Sequence, residues 1–158
     1  MSATTPHDPE KALAAIGLAL PTPAAPVAAY VPSRRVGNLL YIAGQIPSRS
    51  GAVMAQGHVP GKVSLEQARE CAVQCTLNGL AAAKAALGSL DHIKQVVRIG
   101  CFVACESGFG EQPKIADAAS ELLQKVFGET GRHARVTVGT NALPLNVPVE
   151  IEFLFEVK

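Results

Sequence analysis

Tryptophan is absent from this chain of 158 residues, and aromatic residues make up only 4% of it. Any core is therefore built from Ala, Val, Leu and Ile, and no surface run of aromatics is available to stack nucleic-acid bases. An excess of one charge is also missing. Lys plus Arg number 14 against 13 for Asp plus Glu, a formal net charge of +1. A phosphate backbone meets no electrostatic footprint on such a surface, which argues against nucleic acid as a partner. No apolar run is long enough to span a bilayer, so no membrane partner is expected. Residues 12–20 have the length of a signal-peptide core, with a cleavage-like stretch at residues 26–29. Asp8, Glu10 and a single Lys11 stand before them where a basic region belongs, and a cytoplasmic protein is expected.

Cysteine is scarce too. Cys71, Cys75, Cys101 and Cys105 form two pairs spaced by four, which is not the usual structural-zinc spacing. His7, His58, His92 and His133 are scattered, and none shares a helix face with another ligand type. Reduced thiols acting as small apolar residues, and no metal site, are the expectation.

What is present is a clear periodic pattern. Residues 1–7 read as a disordered tail. Asp8 as N-cap and Pro9 in the first turn open a short helix over residues 9–16, and Gly17 stops it. Pro21, Pro23 and Pro26 then make an extended connector. Residues 1–27 thus form a tail, a short helix and a Pro-rich connector ahead of one domain, residues 28–158. Residues 39–43 suit a buried strand, and residues 48–62 a polar loop. Ser64 and Gln67 have capping-box form and open a helix running to Leu87, with Gly88 as its stop. Residues 96–104 alternate as a strand. Ile115, Ala118, Ala119, Leu122, Leu123, Val126 and Phe127 make the apolar stripe of a second long helix, which ends at Gly128. Strands over residues 135–138 and 149–157 close the chain. Two long helices on one face of a mixed sheet, plus the short N-terminal helix, define an α+β fold. The other sheet face is left uncovered, which predicts self-association.

Two glycine motifs carry little. Residues 57–62 are one residue short of a phosphate loop, and Val63 stands where Ser or Thr would bind magnesium. Gly108 and Gly110 are too few for a dinucleotide fingerprint. Residues 132–152 say more. Arg135 and Thr137 share one strand face, with Val136 and Val138 packing on the other, while Glu150 and Glu152 lie on the polar face of the last strand. If the two strands are neighbours, an arginine and a carboxylate meet on the sheet face the helices leave open. A cross-strand ion pair is the commoner arrangement. The functional alternative is a guanidinium fork gripping a substrate carboxylate, with a glutamate handling protons.

Ala134-Arg135, Leu143-Pro144 and Val149 to Glu152 resemble the C-terminal signature of the RidA/YjgF family. Tyr30-Val31, Val36 to Asn38 and Gly44 to Pro47 are similar to its N-terminal signature. The match spans roughly residues 28–157, and the added N-terminal helix resembles a longer branch of that family. The resemblance implies a chorismate-mutase-like homotrimer with clefts between subunits. It implies hydrolysis of small enamines or imines to 2-keto acids and ammonia, without metal or organic cofactor. Arg135 would clamp the carboxylate of a small ligand, and Glu150 would orient or deprotonate the attacking water. Tyr30 would help close the cleft, and backbone near Gly44 and Thr137 would contact the ligand. Ala43 stands where deaminase-active members carry serine, and Thr137 where they carry cysteine. A binding or chaperone-like trimer without turnover is the alternative, and endoribonuclease activity a third.

Overall fold

In the computed structural model of the chain, residues 8–25 and 28–158 are described. The tail expected over residues 1–7 and Pro26 of the connector lie outside them. Helix α1, Pro9–Ala15, begins where the Asp8 carboxylate accepts from the backbone N–H groups of Glu10 and Lys11, each at 3.1 Å. Gly17, at φ +76°, ends it. Its Leu13 is buried in the main core.

Strands β1 (Ser33–Val36) and β2 (Leu39–Gln45) form a hairpin, and β3 (Ser48–Arg49) and β4 (Ala52–Val53) a second, minimal one. Helix α2, Leu65–Leu87, starts at a complete capping box. Ser64 Oγ accepts from Gln67 N at 3.1 Å, and the Gln67 side chain accepts from Ser64 N at 2.9 Å. Strand β5 (Ile93–Ala104), helix α3 (Gln112–Phe127), strand β6 (Ala134–Thr140) and strand β7 (Val149–Val157) complete the order.

The main sheet runs β1-β2-β7-β5-β6, with β5 and β6 parallel and the other pairs antiparallel. A parallel pair needs a crossover, and α3 supplies it, returning over the sheet onto β5 and β6. Helix α2 covers β2 and β7 on the same side. The core lies between these layers. Ile99, Cys101, Val103, Ile151, Phe153 and Phe155 are at most 2% exposed on the sheet side. The α+β arrangement with both long helices on one face is as expected, and no described helix is long and apolar enough to cross a membrane.

Several details differ from the sequence reading, among them the β3–β4 hairpin inside the loop expected over residues 48–62. The polar segment that forms β1 is a strand, recruited by pairing with β2. Val136 and Val138 do not pack in the core. They remain 37% and 43% exposed on the face opposite the helices, with Val36 and Tyr41 at 62% and 47%. Finally, β6 and β7 are not neighbours, because β5 lies between them. The crossover forces β6 alongside β5, and β7 takes β5's other edge.

Candidate functional site

Strand β6 is the outer strand of the sheet, and its side chains alternate between the two faces. Register settles which residue looks where. Arg135 stands beside Ile99, and Ile99 beside Phe153; Thr137 stands beside Cys101, and Cys101 beside Ile151. Those rows end in the core, so Arg135 and Thr137 face the helix layer. Glu150 stands beside Phe102, and Phe102 beside Val138, in a row on the open face. The arginine and the carboxylate expected on one face are therefore on opposite faces of the same sheet. Neither ion-pairs with the other.

Arg135 turns instead to α3. Its Nη1 donates to Asp117 Oδ1 at 2.8 Å and to Ser120 Oγ at 3.2 Å. Both bonds use one nitrogen. Among the described residues, Nε and Nη2 have no hydrogen-bond partner, and 25% of the side chain stays exposed at the sheet edge. One edge of the planar fork is thus anchored and the other is free to receive a carboxylate in two-point contact. Two residues along, the Thr137 hydroxyl is buried without a hydrogen-bond partner among the described residues.

Glu150 sits against a backbone irregularity. The pairing of β2 with β7 shifts between Ile42 and Gln45, which leaves Gly44 in the bulge. A Cβ at Gly44 would collide with the Glu150 carboxylate, so the glycine makes room for that side chain. Burial raises the Glu150 pKa above the usual carboxylate value, and the charge of Glu152 pushes the same way. A carboxyl tuned upward is suited to taking and returning a proton. Tyr30 is 55% exposed. It lies two residues before Pro32, whose carbonyl accepts from Ala43 N at 3.0 Å, which puts Tyr30 at the Gly44 end of β2. Tyr30, Gly44 and Glu150 therefore belong to one corner of the sheet, and Arg135 and Thr137 to another.

Asp117, Ser120 and His133 were not singled out as site residues from sequence, yet all three surround Arg135. His133 and Arg135 share a strand face by their spacing. Ser120, only 8% exposed, is a polar residue buried beside the apolar stripe of α3. Those are the signals that point to them.

All four thiols are free. Burial raises Cys71 to about 11 and Cys101 to about 12, and lifts Cys75 well above the ordinary thiol value, so these three are packing groups. Among the described residues, no three or more His, Cys, Asp or Glu side chains converge as a metal cage requires. The turn at residues 57–62 has Gly57 at φ +115° and forms no phosphate loop.

A five-stranded mixed sheet with two long helices on one face places the molecule in the chorismate-mutase-like α+β class. Within it, the chain belongs to the family described as "YjgF/chorismate_mutase-like", whose description adds an endoribonuclease designation and whose model matches residues 10–157. Protein TCP17 of Trypanosoma cruzi is 37% identical over 142 residues, covering 89% of each chain. A 2-iminobutanoate/2-iminopropanoate deaminase of Dermatophagoides farinae is 32% identical over 127 residues, 80% of this chain and 84% of that one. The crystal structure of Atu1372 from Agrobacterium tumefaciens, a protein of unknown function, is 41% identical. It superposes with a TM-score of 0.89 over 95% of this chain and 92% of its own.

Proposed function

We propose that the protein is an enamine/imine deaminase acting on small carboxylates in clefts between the subunits of a homotrimer. The observation that carries this is the division of labour across the sheet. An anchored fork with a free edge lies on one face, and a carboxyl of raised pKa lies on the other. One chain cannot bring both onto one small molecule, but two adjoining chains can. Arg135 of one subunit would hold the substrate carboxylate. Glu150 of the next would accept a proton from water as its oxygen attacks the imine carbon. Returning that proton to nitrogen gives the carbinolamine. The hydroxyl's remaining proton then passes through Glu150 to the departing nitrogen as the carbon–nitrogen bond breaks. The oxygen becomes the carbonyl, and ammonia and a 2-keto acid are released. Imines are labile in water, so positioning and modest acid–base help suffice. The Dermatophagoides farinae deaminase supports the reaction class.

A binding trimer without turnover is the second reading, and Ala43 favours it. A serine hydroxyl at this position, beside the bulge at Gly44, would be a further ligand contact. The endoribonuclease designation of the family finds no basic surface run to support it, with a net charge of +1.

Release of ammonia and keto acid from 2-aminoacrylate generated in solution tests the proposal. Arg135→Ala is expected to weaken carboxylate ligands at least roughly tenfold, because charge-assisted bonds contribute about 1.5–3 kcal/mol each. Arg135→Lys should not fully restore binding, since a point charge cannot reproduce the fork. Glu150→Gln should spare affinity and lower turnover by about 10²-fold, the low end for acid–base help. Arg135-dependent keto-acid binding with no release above the uncatalysed rate would favour the binding reading. Unchanged affinity in a folded Arg135→Ala protein would move the site elsewhere.

A further inference from the structure

Behind Arg135 runs a chain of hydrogen bonds whose direction can be worked out atom by atom. His133 Nδ1 lies 2.6 Å from the Gly131 carbonyl oxygen. A carbonyl only accepts, so Nδ1 carries the proton, and in the neutral ring Nε2 is the acceptor. Ser120 Oγ lies 2.9 Å from Nε2 and therefore donates to it. That leaves the lone pairs of Ser120 to accept from Arg135 Nη1 at 3.2 Å. Each link of the chain thus pairs one N–H or O–H with one acceptor, and the second N–H of Arg135 Nη1 goes to Asp117. The origin of the chain is rigid, because Gly131 is buried and pressed onto the backbone of α3, where a Cβ would meet the Leu123 carbonyl and Gln124 Cα. The ring is half-buried. Facing it are Arg135 from β6, Ser120 and beyond it Asp117 from α3, and the Gly131 carbonyl from the preceding turn. Glu129 and Arg132 of that turn pair with each other at 3.3 Å.

Resting on the carboxylate-binding reading of Arg135, we infer that Ser120 and His133 are positioning residues for its fork, and that His133 takes up a proton when a carboxylate occupies the fork. In the free protein an imidazolium one hydroxyl away from the guanidinium is opposed on two counts. Burial disfavours it most, and the Arg135 charge adds to this, while the Gly131 carbonyl works the other way. Asp117 already pairs with the guanidinium from one side, and a carboxylate bound to the free edge adds a second negative charge that offsets what remains of its repulsion of the ring. The linkage is reciprocal, so protonating His133 strengthens carboxylate binding by the same factor. Because Ser120 can accept from both Arg135 and a protonated Nε2, the anchor survives the change.

The test is a titration of the whole protein with labelled histidine side chains, followed by NMR with and without saturating pyruvate. His133→Gln assigns the signal. Pyruvate should raise the His133 midpoint. In the ligand-free protein, Arg135→Gln should raise it as well, a readout independent of any activity. Ser120→Ala and His133→Ala should each weaken pyruvate roughly threefold to tenfold, as loss of one hydrogen bond does. His133→Gln keeps an acceptor for Ser120 and should recover most of that affinity while abolishing the proton uptake. Pyruvate that binds undiminished to Arg135→Ala overturns the site itself. Pyruvate that binds through Arg135 while His133 keeps its midpoint overturns the coupling alone, as does an unmoved midpoint in Arg135→Gln.

Discussion

Glu150 and Glu152 share a strand face two residues apart, and their surroundings treat them differently. Glu152 has Arg98 at 3.3 Å. Among the described residues Glu150 has no cation within ion-pair distance, and it is crowded by the bulge at Gly44. Its folded pKa is raised, so the native state holds the proton more tightly than the unfolded chain does. In the window from the ordinary carboxylate value upward, stability therefore falls as pH rises. Glu150→Gln removes the charge and keeps the shape. Melting curves from pH 4 to 8 should show the variant equal to the parent at the acid end and more stable at pH 7–8. A variant less stable at pH 8 than the parent would mean that the ionised carboxylate is held by a stabilising partner. The buried Thr137 hydroxyl works in the same direction, since an unsatisfied polar atom costs about 1–3 kcal/mol. Both residues lie where a ligand was expected, and both keep stability below what the fold could reach.

Between α2 and β7 the layers meet at Gly79. A Cβ there would lie 2.5 Å from the Phe153 ring. Alanine would improve helix propensity by up to about 1 kcal/mol, but overpacking a tight contact costs about 1–3 kcal/mol. The second effect should win. Calorimetry of Gly79→Ala is expected to show a lower Tm, and a higher one would mean that the ring moves freely. The sequence reading of the elements succeeded where chemistry is local. Asp8, Ser64 with Gln67, Gly88 and Gly128 mark helix ends by groups a few residues apart. It failed for Ser33–Val36, which has no apolar alternation and is a strand only through its partner. The strand order escaped for a related reason. Whether β6 pairs with β5 or β7 depends on where α3 carries the chain, and nothing in the residues from Arg135 onward records it. The contact of Arg135 with Asp117 and Ser120 spans 18 and 15 residues across that crossover. Tyr30, Gly44 and Glu150 were legible as parts of motifs, and their grouping at one corner follows from the β2–β7 pairing.

The open face of the sheet combines Val36, Tyr41, Val136 and Val138 with Arg98 and its partner Glu152. An apolar surface of this kind is suited to burial against further copies. Sedimentation should give about three times the 16.4 kDa chain mass, and Val136→Lys should reduce it to the single chain with its helix content intact. A wild-type monomer at micromolar concentration would remove the proposed cleft. The opposed facing of Arg135 and Glu150 also has a consequence in genetics. Two defective alleles, one encoding Arg135→Ala and the other Glu150→Gln, would damage different halves of the proposed site between chains. Co-expressed and assembling at random, they would rebuild about one intact site in four, because each intact half comes from the other allele's product. Neither allele alone restores any. Partial rescue in the mixed strain would identify the site as the joint property of two polypeptides.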